Sequence, residues 1–88
     1  MKLILTVLHD NDTETISHAL VTAGFRATRV ASTGGFLRRG STTVLIGVED
    51  SKVDQAIEII RQNVSPSSTP GEKRATLFVL PVENFVQV

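Results

Sequence analysis

At 88 residues, 41% of them hydrophobic, the chain has apolar mass for one small core and not for two. Its nine cationic side chains balance nine anionic ones, which argues against a broad basic surface for nucleic acid and requires any anion site to be local. Cysteine is absent, so disulfides and thiolate metal sites are excluded.

Met1 leads directly into Lys2-Leu3-Ile4-Leu5-Thr6-Val7-Leu8, an apolar run too short to span a bilayer and without a small-residue cleavage site behind it. It is expected to be a buried strand of a cytoplasmic protein, with no membrane insertion. The first helix should follow Asp10-Asn11-Asp12, with Asn11 and Glu14 at the spacing of a capping box. Ile16, Ala19, Leu20 and Ala23 then form one apolar stripe, and Gly24 supplies a left-handed stop before Phe25. A strand over Arg26 to Ser32 and another over Thr42 to Val48 flank a glycine-containing loop. A second helix opens at Asp50 or Ser51, with Asp54 as the box partner of Ser51. Its stripe is Val53, Ala56, Ile57, Ile60 and Val64. The Ser-, Pro- and Gly-rich stretch from Val64 to Glu72 reads as a loop, and Ala75 to Leu80 as the last strand.

The order is βαββαβ, which predicts an α+β ferredoxin-like sandwich: a four-stranded antiparallel sheet with two helices on one face, in a single domain over residues 1–88. The uncovered face of such a sheet should alternate to polar residues in a monomer. Here Leu3, Leu5 and Val7 oppose Ile4 and Leu8. Val44, Ile46 and Val48 oppose Leu45, and Ala75, Leu77 and Val79 oppose Phe78 and Leu80. Both faces call for burial, and another copy of the chain is the simplest cover.

The stretch Phe25 to Thr43 concentrates the chemistry. Gly34 and Gly35 allow backbone N–H groups to approach an anion closely. Hydroxyls of Thr28, Ser32, Thr33 and Ser41, the charges of Arg26, Arg38 and Arg39, and the ring of Phe36 surround them. These are the ingredients of a nucleotide site, although a glycine turn with solvated arginines has the same composition.

The Thr33-Gly34-Gly35-Phe36-Leu37 core, with Gly40 and Thr42-Thr43 behind it, resembles the signature of the PII-like cyclic di-AMP receptors. The opening Met1-Lys2-Leu3-Ile4, the stretches Ala19-Leu20-Val21 and Gly24-Phe25-Arg26-Ala27-Thr28, Ile46-Gly47-Val48-Glu49-Asp50, and Phe78-Val79-Leu80-Pro81-Val82 to Phe85 extend the likeness. The segment between Val64 and Lys73 is the main gap, shorter than the family's insertion. The resemblance implies a PII-like homotrimer whose sheets face one another around the axis, with cyclic di-AMP bound in clefts between subunits. Ligand would order the loop over residues 32–41 and change a surface presented to a downstream protein partner, whose identity the sequence does not disclose.

The same resemblance assigns ligand-binding roles to Arg26, Thr28, Thr33, Gly34, Gly35, Phe36, Leu37, Ser41, Gly47 and Gln87. Arg26 and Thr28 share one side of their strand, opposite Ala27, and are expected to lie together near the glycine loop. A snorkelling arginine at a subunit boundary would look the same. Phe36 is either a loop anchor or a platform for a base. Ser41 stands where the family pattern has asparagine, and its shorter hydroxyl calls for a bridging water. Gly47 interrupts an apolar strand, either for close approach of a base or for tight helix–sheet packing. Gln87 matches a tail position that closes over the ligand, though penultimate residues commonly fray.

Other constellations fail. Asp10, Asn11, Asp12 and Glu14 lack the glycine and distant glutamate of a calcium loop. His9 and His18 have no companion at metal-ligand spacing, and no Walker-type lysine follows the glycines. The chain is expected to carry no catalytic site, no metal and no cofactor beyond its ligand. Two alternatives stay open: a trimeric PII-like interaction module that no longer binds cyclic di-AMP, and a regulatory domain for another nucleotide such as ATP.

Overall fold

The structure, a computed structural model, describes residues 1–31, 41–65, 74–84 and 86–88. Its elements are β1 (Lys2–His9), α1 (Asp10–Thr22), β2 (Arg26–Ala31), β3 (Ser41–Val48), α2 (Val53–Asn63) and β4 (Ala75–Pro81). The strands form one antiparallel sheet in the order β2-β3-β1-β4. This is the expected βαββαβ arrangement.

Alternation along the strands explains the layering. Ile4, Thr6 and Leu8 of β1 and Val44, Ile46 and Val48 of β3 turn one way and are buried. Ile16 and Leu20 of α1 and Ala56 and Ile60 of α2 complete that core, so the helical stripes cover this face. Across the register the other face is also apolar: Leu3 pairs with Leu80, and Leu5 lies between Leu45 and Phe78. Leu3, Leu5, Val7 and Leu45 are half-buried, while Phe78 and Leu80 remain 49% and 43% exposed. Both faces of the sheet therefore carry burial-seeking side chains, and the helices cover one.

Helix ends show where local signals hold and where they give way. Gly24 adopts φ +93° after α1, and its N–H bonds the Val21 carbonyl while the Phe25 N–H reaches that of Leu20. That is a Schellman stop, and it delivers Phe25 into the core. The expected capping boxes do not form. β1 runs into α1 without a loop, so His9 occupies the N-cap and neither Asn11 nor Glu14 closes a box. Glu14 instead pairs with Arg29 of β2. Before α2, a 3-10 turn over Asp50–Lys52 carries the chain into the helix, again without a side-chain cap.

Candidate functional site: a cleft at one end of the open sheet face

Strand register brings the first group of site residues together. Arg26 pairs with Gly47, and Gly47 pairs with Leu3. In the next row, Thr28 pairs with Leu45 and Leu45 with Leu5. Paired residues point to the same side, so Arg26, Thr28, Leu45, Gly47 and Leu3 share the face that the helices leave uncovered. Gly47 contributes no side chain to its row, which leaves a notch between Arg26 and Leu3.

That notch opens into a cleft of about 550 Å³ lined by Met1, Lys2, Leu3, Arg26, Thr28, Leu45, Gly47, Val82 and Gln87. Met1, Leu3, Leu45 and Val82 make an apolar floor, and Arg26, Thr28 and Gln87 bring a charge and hydrogen-bonding groups to it. The first and last segments are tied at this end, because the Val82 N–H donates to the Met1 carbonyl at 3.1 Å. An apolar depression with a few polar groups at its margin is the usual composition of a small-molecule site. It suits a flat, partly polar ring with an anionic group near Arg26.

Four of the residues singled out from sequence, Arg26, Thr28, Gly47 and Gln87, line this one cleft. Arg26 starts β2, so it and Thr28 gather near Gly47 and the tail; the glycine loop beside which they are expected lies outside the described residues. The helix–sheet explanation of Gly47 falls, since Gly47 lies on the open face; its neighbour there is the Met1 side chain.

Ser41 is not brought to the cleft. It begins β3 opposite His9, six residues before Gly47, or about 20 Å at strand spacing. Its side is the same open face, but at the other end. Thr33, Gly34, Gly35, Phe36 and Leu37 lie outside the described residues. Sequence reasoning missed Met1, Lys2, Leu3, Leu45 and Val82 as cleft residues. The pattern signal was available, because Leu3 and Leu45 fall on the uncovered face, but their pairing with Gly47 and Thr28 is a matter of register.

A second organised cluster sits at the start of α1. Asp12 is only 2% exposed, and its carboxylate accepts from the Ser65 N–H at 3.3 Å and from the Ser65 hydroxyl. The Arg74 guanidinium pairs with it at 3.3 Å. Burial pushes the Asp12 carboxyl pKa up, but the Ser65 hydrogen bonds and the Arg74 charge together outweigh it and hold the group below its ordinary value. Two residues earlier, the Thr42 hydroxyl donates to Asp10 at 2.6 Å. These contacts anchor the flanks of residues 66–73 and the start of β3 on α1; they do not enter the cleft. Among the described residues no cluster of three or more His, Asp or Glu side chains is placed to hold a metal, and no helix is long and apolar enough to cross a membrane.

The family model described as cyclic-di-AMP receptor matches residues 1–69. The chain belongs to that family. A solved protein of similar structure, described as functionally unknown and coming from Pediococcus pentosaceus, is 34% identical over 99% of this chain and 96% of its own, with a TM-score of 0.77. The family is one of signalling receptors.

Proposed function

We propose that this member of the family binds cyclic di-AMP in the cleft at the Gly47 end of the sheet, and that the site is completed by a second copy in a homotrimer. The observation that carries the reading is the convergence of Arg26, Thr28, Gly47 and Gln87 on one apolar-floored cleft in a chain of the cyclic-di-AMP receptor family. The guanidinium of Arg26 supplies a charge-assisted hydrogen bond to a phosphate, Thr28 donates or accepts beside it, and the apolar floor takes a base. Ser41 belongs to the other end of the open face. A neighbouring copy packed on that face would carry its own loop to the cleft, which accounts for site residues about 20 Å apart on one strand. Ligand-dependent ordering of the loop over residues 32–41 would then alter a surface read by a protein partner in the cytoplasm. Such control requires different affinity for the two loop states.

Calorimetry with cyclic di-AMP, cyclic di-GMP and ATP in parallel tests the reading. Saturable heat with cyclic di-AMP alone is the expected result. Arg26→Ala should weaken binding roughly ten- to a hundredfold, since a hydrogen bond to a charged group contributes about 1.5–3 kcal/mol. No heat with cyclic di-AMP would return the chain to an interaction module, and binding of ATP alone would reassign the ligand.

A further inference from the structure

Within the apolar floor of the cleft, one side chain is set directly against Gly47. A Cβ placed on Gly47 would stand 3.2 Å from the terminal methyl of Met1. The thioether therefore lies across the notch that the glycine leaves, and the same side chain is 40% exposed and lines the cleft. Its backbone is held by the bond from Val82. The absent side chain at Gly47 is thus already partly replaced from within the molecule, by an unbranched, polarisable group with three rotatable bonds.

We propose that Met1 is a ligand-contacting residue: the surface offered to a base at this end of the sheet is the Met1 thioether lying over Gly47, not the bare Gly47 backbone. The inference rests on the reading of the cleft as a cyclic di-AMP site. Its physical basis is local. A planar ring entering between Arg26 and Leu3 meets the Met1 methyl before it reaches Gly47. Sulfur against an aromatic ring is attractive, and the flexible side chain adjusts its contact to the ring without a backbone shift. Gly47 and Met1 act as a pair, the glycine making room for the methionine and the methionine making the contact.

Met1 is the only methionine of the sequence, so protein labelled with carbon-13 at the methionine methyl gives one signal from this position. On titration with cyclic di-AMP that signal should move upfield, and it should show nuclear Overhauser contacts to the base protons. The second measurement uses the same chain with Met1→Ala or Met1→Leu, released from an N-terminal fusion. Alanine should lower cyclic di-AMP affinity by about two- to tenfold, the range of one sulfur–aromatic contact, with leucine in between and the melting temperature without ligand nearly unchanged. Saturable calorimetric binding with an unmoved methyl signal, or with a moved signal that lacks contacts to the base, would overturn the assignment while leaving the cleft as the cyclic di-AMP site. Equal affinity of all three proteins would overturn it as well. Absence of any binding heat in the unsubstituted protein would overturn both.

Discussion

Asp12 shows how much a single side chain can hold. Its buried carboxylate joins the first turn of α1 to Ser65, 53 positions later, and to Arg74, 62 positions later. Because its pKa is lowered on folding, the carboxylate stabilises the fold fully above the ordinary value of 3.8. That contribution is lost as pH falls below 3.8 through the lower value of the folded state. Asp12→Asn should therefore cost about 1–3 kcal/mol at neutral pH, the scale of leaving a buried partner without its charge-assisted bonds. Urea unfolding of both proteins from neutral pH into acid provides the check: the gap should be widest near neutrality and close in strong acid. A gap independent of pH would show that the carboxylate charge is not what matters. At this scale the sequence marked Asp12 only as a helix-start residue, because nothing nearby in the chain announces partners so remote.

Among the elements, α1 is the most fully encoded. Its buried Ile16 and Leu20 fall on the predicted stripe, and the Gly24 stop needs a positive φ that an L side chain rarely adopts. Gly24→Ala has open space around the new methyl, so its cost is backbone strain alone. A loss of about 1–2 kcal/mol in thermal or urea unfolding is expected, with cyclic di-AMP affinity unchanged, because Gly24 does not line the cleft. The start of the same helix was less legible. The Asn11–Glu14 spacing is a valid box pattern, yet β1 feeds α1 directly from His9 and the cap position falls two residues earlier. Strand pairing of His9 with Ser41 fixes where the chain leaves the sheet, and that overrides the local preference.

For the whole molecule, the uncovered face of the sheet sets the assembly problem. Leu5 sits at its centre, between Leu45 and Phe78. A contiguous apolar row of this kind marks an interaction surface, and the proposed homotrimer would bury it. Leu5→Glu should abolish assembly in light scattering coupled to gel filtration, since an unpaired charge buried at such an interface costs several kcal/mol. The helix-covered core would keep its composition, because Leu5 faces away from it. A wild-type protein that elutes as a monomer at micromolar concentration would remove the trimer, and with it the account of a site shared between copies.

Fold class, the two helical stripes, the apolar character of both sheet faces and the family signature were determined by the sequence alone. Each is written in near neighbours: period two for strands, three to four for helices, and a short run of glycines and hydroxyls. Tertiary structure decided what depends on pairing between distant segments. The register that sets Gly47 between Arg26 and Leu3 created the cleft, placed Ser41 at the opposite end of the face, and brought Met1 over the glycine. A one-residue slip in that register would leave every local pattern intact and turn each of these side chains to the other face, so no local pattern can encode it.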